Sequence, residues 1–269
     1  MKNRIFLLLP FLYLTTLNIT AQETNGGVRS DTIVEYTTMI NCNGKMDGEV
    51  KKYHKNGKLK FNGFCEKGKQ VGLGKSYYES GKIASIYNFK NGLPDGYIDT
   101  FYENGQLSSK TSIKEGVQDG AHTDYFENGN KKSELYFVNG VPNGSSKVWY
   151  ENGKLQQELL IKAGVPNGIA KQWYENGQLN TEGTMKDGKM NGLWKGWYEN
   201  GKLRRKVTLL NGKEEGISQS WFENGQIKDR GSFKGGKEDG IWEEFDELGE
   251  LKVKITYSFG IKIKEEVFD

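Results

Sequence analysis

The sequence predicts an all-β chain: an elongated, single-layer antiparallel β-hairpin meander built from tandem 24-residue repeats. Three observations carry that expectation. The heptapeptide Trp149-Tyr150-Glu151-Asn152-Gly153-Lys154-Leu155 returns with small changes from end to end, its glycine recurring every 24 residues from Gly57 to Gly249. A pair of glycines keeps the same beat, from Gly44 and Gly48 to Gly236 and Gly240. Between them, apolar and polar residues alternate. Fixed self-similarity at such a period marks a repeat array.

The amino end stands apart. Residues 1–21 open on Lys2 and Arg4, continue through an apolar run at residues 5–13, and close on Ile19 and Ala21. That layout is a secretory signal peptide, with cleavage expected after Ala21. As a retained anchor the run falls well short of the roughly 20 apolar residues a span needs. No cysteine follows it to carry a lipid. The mature chain is therefore expected to be exported, to the periplasm, the cell surface or the medium.

Residues 22–43 read as a linker and cap, of which residues 28–42 match the repeat poorly and offer a first strand. The array proper runs over 44–249. Each unit splits into two segments of strand length, about six to eight residues, too short for stable helices. In one unit the segment ending at Tyr150 leads through Glu151-Asn152-Gly153-Lys154 to Leu155. Asn-Gly between β-prone runs predicts a type I′ hairpin turn, with positive φ at both central residues. The second turn is expected across residues 163–168, Ala-Gly-Val-Pro-Asn-Gly. Residues 250–269 supply capping strands, ending in Ile261-Lys262-Ile263-Lys264 and the charged Glu265-Glu266. Nine units of two strands predict roughly 18 strands, on the order of 85 Å of sheet.

Columns through the repeats show which face is buried. The column of Leu159, Val207 and Ile255 is apolar or small, and that of Phe89, Ile113, Ile161 and Phe233 is apolar throughout. Between them Asn62, Lys110, Glu134, Glu158, Glu182, Lys206, Arg230 and Lys254 are polar, Ile86 being the one departure. This is the period-two pattern of a strand with one buried face. Across an even-length turn Tyr150 would face Leu155, which places the columns of Tyr150 and Leu155 on the apolar face. The neighbouring aromatic column, which includes Phe101, Tyr125, Trp149, Trp173, Trp197 and Trp221, would then stand on the opposite face among charges. A three-residue loop would invert that pairing. The glutamates of the turns, Glu151 and its equivalents, read as a solvated row that discourages sheet stacking.

Composition narrows the function. Without Lys2 and Arg4 the formal charge falls from +3 to +1. A near-neutral mature chain lacks the field that drives non-specific nucleic-acid binding, and that partner is not expected. The 36 glycines are periodic, which argues for ordered turns and against disorder.

Cys42 and Cys65 are the only cysteines. In a regular array they would lie two strands apart, roughly 10 Å. A disulfide spans at most about 7 Å between alpha carbons. Their one-residue offset would also place them on opposite faces. No bridge is expected between them, an irregular amino-terminal cap being the one arrangement that would allow it.

The tandem Trp-Tyr-Glu-Asn-Gly-Lys-Leu, followed by an apolar strand and Gly-x-x-x-Gly, resembles the MORN repeat in its bacterial variant form over about residues 44–260. The resemblance implies an elongated antiparallel hairpin sheet and a non-catalytic module for protein or lipid contact. It also implies an alternative role, since many bacterial relatives carry a toxin-antitoxin antitoxin label.

Chemistry-bearing motifs are scarce. Gly72-Leu73-Gly74-Lys75-Ser76 imitates the end of a phosphate-binding loop, but Lys69 stands where the loop needs glycine and a strand follows it. His54 and His122 fall in different columns, so no histidine-centred metal site is indicated. No cofactor, metal or catalytic residue is expected. The binding candidates are Trp149, Trp173, Trp197, Trp221, Tyr125 and Phe101, because contiguous exposed aromatic surface marks a partner site. The expected partner is a protein or cell-envelope component, with a membrane surface as a lesser alternative. Flat aromatic faces also suit cell-wall or surface carbohydrate.

Overall fold

A computed structural model describes residues 46–269 together with Cys42 and Gly44. The signal-peptide reading of residues 1–21, and the first strand offered by residues 28–42 apart from Cys42, lie outside the described residues.

The described chain is one sheet of twenty strands. The first ten are β1 (Gly48–Tyr53), β2 (Leu59–Glu66), β3 (Lys69–Tyr77), β4 (Ile83–Lys90), β5 (Leu93–Phe101), β6 (Leu107–Lys114), β7 (Val117–Tyr125), β8 (Lys131–Val138), β9 (Val141–Trp149) and β10 (Leu155–Lys162). The rest are β11 (Val165–Trp173), β12 (Leu179–Lys186), β13 (Lys189–Trp197), β14 (Leu203–Leu210), β15 (Lys213–Trp221), β16 (Ile227–Lys234), β17 (Lys237–Glu238), β18 (Gly240–Phe245), β19 (Leu251–Ser258) and β20 (Ile261–Val267). Each pairs antiparallel with its sequence neighbours, so the sheet is the expected open meander. The count exceeds the expected 18 or so because β17 and β18 are one strand broken at Asp239, both pairing with β16, and β20 adds a strand after the ninth unit.

The two edges carry different turns, and here the sequence reading is corrected. At the Tyr-Glu-Asn-Gly edge, Gly153 N donates to Tyr150 O (2.9 Å) and Tyr150 N to Lys154 O (2.8 Å). Gly153 alone has positive φ, +84°, while Asn152 is not in the left-handed region. This is a type I turn closed by a glycine bulge. The asparagine does not supply a left-handed residue because its side chain does something else: Oδ1 accepts the amide of Lys154 (2.9 Å). The type I′ turn lies at the other edge, where Ala163 (φ +49°) and Gly164 (φ +79°) join Lys162 to Val165. The turn expected over residues 163–168 therefore ends at Gly164. Val165 already belongs to β11, and Gly168 (φ +126°) sits where the register with β10 slips between Leu159–Ala170 and Ile161–Pro166.

The bulge also moves a column. Trp149 pairs with Leu155, but Val148 pairs with Gln157, so β10 has one extra residue beside the turn. Leu155 therefore keeps company with Trp149 rather than with Tyr150. The expectation that the Leu155 column shares a face with the Tyr150 column fails for that reason.

The inner face is built as the alternation predicts. Leu159, Ile161, Val207, Leu209, Phe233 and Ile255 are all buried. Large and small residues complement one another across it. The ring of Trp194 fills the space over Gly183, where a Cβ would come within 2.1 Å of it, and Trp242 covers Gly231 in the same way at 2.2 Å. These two tryptophans are among the largest fully buried side chains. Toward the Tyr-Glu-Asn-Gly edge the same face turns polar and satisfies itself: Ser76 donates to Ser85 (3.0 Å), Ser133 to Asp124 (2.7 Å), Ser220 to Asp229 (2.5 Å), and Arg205 to Glu214 (2.6 Å).

Cys42 and Cys65 form a disulfide with alpha carbons 6.0 Å apart, against the expectation of no bridge. Cys42 precedes β1 and is not part of a strand, so it is not held at the two-strand spacing. It packs instead with Val50 and Cys65 in a small buried cluster that closes the start of the inner face.

Candidate binding face

The outer face is a set of rows running across the strands. Nearest the Tyr-Glu-Asn-Gly edge, each aromatic of the predicted ladder pairs with an aliphatic on the next strand: Phe101 with Leu107, Trp149 with Leu155, Trp173 with Leu179, Trp197 with Leu203 and Trp221 with Ile227. Tyr125 pairs with Lys131, the one break in the aliphatic column. Trp149 follows Val148, which pairs with the buried Gln157, so its ring lies on the opposite face. All six predicted residues are half-buried. The Lys131 ammonium adds a cation over the Trp149 ring, 5.5 Å from its centroid.

The next row is charged. From β8 to β13 the facing residues are Glu134, Lys147, Glu158, Lys171, Glu182 and Lys195, strictly alternating in sign. Lys147 lies 3.4 Å from Glu158 and Lys171 3.7 Å from Glu182, exposed pairs worth a few tenths of a kcal/mol each.

Beyond the charges lies a row that sequence reasoning missed. Each cross-strand pair there holds one large apolar residue and one small or polar partner: Leu73 with Asn88, Tyr97 with Ser112, Tyr136 with Ala121, Leu160 with Ser145, Ile169 with Thr184, Leu193 with Thr208, Ile217 with Ser232 and Ile241 with Thr256. All the large members are exposed, Ile217 to 70%. Six of the eight large residues stand in one column, from Leu73 to Ile241, and where that column holds Ala121 and Ser145 the paired residues Tyr136 and Leu160 supply the bulk from the next strand. The pairing register closes those two gaps and makes the stripe continuous.

The tyrosines of the neighbouring column fasten one repeat to the next. Tyr78 donates its hydroxyl to Phe101 O (2.5 Å), Tyr102 to Tyr125 O (2.6 Å), Tyr150 to Trp173 O (2.8 Å), Tyr174 to Trp197 O (2.8 Å) and Tyr198 to Trp221 O (2.7 Å). His54 takes the same place in the first repeat, its Nε2 lying 2.8 Å from Tyr77 O. Burial pushes the pKa of Tyr102, Tyr174 and Tyr198 up, nearby carboxylates adding to the shift and Arg204 opposing it at the last two. These hydroxyls stay protonated donors at neutral pH. The turn asparagines reach across as well, Asn152 Nδ2 to Glu175 O (3.2 Å) and Asn128 Nδ2 to Glu151 O (3.0 Å).

The remaining sequence candidates are placed by the same geometry. His122 lies between Thr111 (2.8 Å) and Asp124 (3.2 Å), far from His54 in the array. Burial acts to raise the pKa of Asp124, but the His122 hydrogen bond and charge, the Ser133 hydroxyl and Lys132 outweigh it and hold the group below the usual carboxylate range. The segment Gly72 to Ser76 lies within β3, with Gly74 beneath the Phe61 ring. Among the described residues no group of three or more His, Cys, Asp or Glu is arranged to hold a metal ion. No described helix is long and apolar enough to cross a membrane.

The family model described as MORN repeat variant matches eight units, at residues 46–64, 70–91, 118–139, 142–163, 166–187, 190–211, 214–234 and 238–258, the unit between residues 91 and 118 being unmatched. The chain belongs to that family. MORN repeat variant units thus cover most of the sheet, and each match takes in parts of both strands of a unit. No curated protein matches this chain. Among solved structures it is similar to the crystal structure of TcdB2-TccC3-Cdc42, at 11% identity over 88% of this chain and 14% of that one, with a TM-score of 0.19. Another is the crystal structure of TcdB2-TccC3, at 10% identity over 78% of this chain and 13% of that one, with a TM-score of 0.17. The chain thus spans about one seventh of the length of these neighbours, and TM-scores of this size do not establish a shared fold.

Proposed function

We propose that this MORN repeat variant protein is an exported, non-enzymatic scaffold that binds a protein or cell-envelope component through the outer face of its sheet. The observation that carries the reading is the composition of that face. A row of half-buried aromatics centred on Trp149, Trp173, Trp197 and Trp221, and a stripe of exposed aliphatic and tyrosine side chains, lie on either side of a charged row. A sheet with one buried face normally presents a polar outer face. A continuous apolar stripe there marks a contact surface. The export part rests on residues 1–21 and the disulfide, since such bonds persist in oxidising compartments.

The test is cross-linking in intact source cells followed by mass spectrometry of separated fractions. One dominant envelope partner is expected. Replacing Trp149, Trp173, Trp197 and Trp221 together by Ala removes the predicted ladder but also its packing on the aliphatic column. A second variant, Tyr97→Ser with Leu160→Ser and Ile217→Ser, alters only exposed side chains. Both are expected to lose the partner, and undiminished capture by both would overturn the reading. Recovery in the cytosol with the product of a neighbouring gene would replace it by the antitoxin alternative.

A further inference from the structure

In the charged row of the outer face neutral Asn62, Ile86 and Thr123 interrupt the first strands, strict alternation of sign begins at Glu134, and it stops at β14 with two like charges face to face. After Glu182 and Lys195 the next residue in line should be an anion, but it is Lys206, which faces Lys195 directly across β13 and β14. Gln219 and then Arg230 follow before the next carboxylate, Glu243. Like charges directly opposite on neighbouring strands oppose pairing. Duplication of a unit with alternating charge would not create this run, and sheet stability does not favour it. Arg230 is engaged by Glu243 on one side and lies over the Phe245 ring. On the other side, three strands carry two exposed lysines and a neutral amide.

The same strands carry the best-formed part of the apolar borders. On β13 the outward residues are Leu193, Lys195 and Trp197, and on β15 they are Ile217, Gln219 and Trp221. A cationic track thus runs between an aliphatic stripe and a tryptophan row.

We infer that the run Lys195, Lys206, Gln219 and Arg230 is a docking track for a short acidic peptide segment of a partner protein, its apolar side chains seated on the flanking rows. The inference rests on the outer-face reading above and names the partner chemistry. Charge complementarity supplies the argument. The missing anions of the row are the ones a carboxylate-bearing segment would provide, restoring the alternation seen from Glu134 to Lys195. The track is narrow: its four strands span roughly 14 Å, about four residues of extended chain. Carboxylates of the protein itself, Glu182 and Glu243, bound it at both ends. That shape suits a linear segment, whereas a broad anionic lipid surface would be pressed against those two glutamates.

The experiment is fluorescence anisotropy with the purified full chain and three labelled synthetic peptides: one alternating Glu and Leu, one alternating Lys and Leu, and one alternating Glu and Ser. The Glu-Leu peptide is expected to bind and the other two to bind weakly, with affinity falling as salt rises. Lys206→Glu, which makes the row alternate again, is expected to lower affinity roughly tenfold while leaving the melting temperature unchanged or higher. Lys171→Gln, in the alternating part, should leave affinity unchanged. Equal binding of the Glu-Leu and Lys-Leu peptides, or indifference to Lys206→Glu, overturns the track but leaves the outer-face reading intact if the tryptophan and stripe variants still lose their cellular partner. Absence of binding to all three peptides overturns it too. Tighter binding to phosphatidylglycerol-containing vesicles than to the Glu-Leu peptide, with the same Lys206 dependence, would assign the track to a membrane instead.

Discussion

The two long edges of the sheet are closed by turns of equal frequency but of different construction. At the Ala163-Gly164 edge the constant links between repeats are main-chain: Gly164 N donates to Pro142 O and Gly188 N to Pro166 O. In several units a side chain of the earlier repeat adds a second link, as where Asp47 accepts the amide of Lys67 (2.9 Å) and Asn143 that of Ala163 (3.3 Å). With the added acceptor coming from the earlier repeat, at Asp47, Asp95, Asn143, Glu215 or Asp239, what the turn itself must supply is a glycine and a backbone that tolerates positive φ before it. That preceding residue is accordingly Lys67, Asn91, Glu115, Ala163 or Asp187 in different units. At the Tyr-Glu-Asn-Gly edge the links are made by side chains, the tyrosine hydroxyl, the asparagine amide and, in several units, a lysine such as Lys154, whose Nζ donates to Asn176 O (2.8 Å). A turn whose constant link is main-chain leaves the identity of its non-glycine residue free to vary. One held by side chains keeps its residues, which is why that heptapeptide is the visible signature of the repeat.

The largest effect that would break this comparison comes from removing one fastener along the whole edge. Tyr102, Tyr150, Tyr174 and Tyr198 changed together to Phe lose four neutral hydrogen bonds. At about 1 kcal/mol each, the array should lose roughly 4 kcal/mol. Because the loss falls on contacts between neighbouring repeats, the urea transition followed by tryptophan fluorescence should also broaden. An unchanged midpoint and slope would mean that the hydroxyls are ornamental.

A single-site change sharpens the contrast. Asn152→Ala removes both the acceptor for the Lys154 amide and the donor to Glu175 O. In this exposed setting the loss should be about 1 kcal/mol, read as a lower melting temperature. The smallest effect has the opposite sign. Ala163 holds φ +49°, a conformation unfavourable for a residue with a Cβ. Ala163→Gly should stabilise the chain by about 0.5 kcal/mol, the relief of strain exceeding the added freedom of the unfolded state. A loss of stability there would show that the freedom gained by the unfolded chain outweighs the strain relieved at that turn.

The repeat, the strands and the buried columns were legible because alternation is a direct record of which side of a pleated strand faces the core. The column from Leu135 through Leu159 to Val207 needed no knowledge of pairing. The turns were less legible, since Asn-Gly is a signal for positive φ only when the asparagine side chain does not bind the local backbone, as Asn152 does. That one misreading displaced the Leu155 column, because a single extra residue beside a turn moves a side chain to the other face. The exposed stripe was partly legible, since Leu73, Tyr97, Ile169, Leu193, Ile217 and Ile241 share one column, and the register was needed only to bring Tyr136 and Leu160 opposite its gaps at Ala121 and Ser145. The bridge between Cys42 and Cys65 was misjudged by extending the regular ladder to a residue that lies outside it. Trp194 and Trp242 left a trace that could have been followed, each standing eleven residues after a glycine, Gly183 and Gly231, in a column that holds one other glycine, Gly63, whose counterpart eleven residues on is Gly74.

The tyrosine fasteners all point one way along the chain. In each, the hydroxyl belongs to the earlier repeat and the carbonyl to the later one, 23 residues on. Order in sequence thereby becomes order in time. A polypeptide leaving the ribosome amino end first exposes each of these tyrosines before the carbonyl it will meet, so no unit that carries one is fastened until the next has emerged. The series also has a stop. Phe126 interrupts the series, Phe222 ends it after Tyr198, and at the same position of the next turn stands Asp246, whose carboxylate turns inward to accept the amides of Leu248 and Glu250.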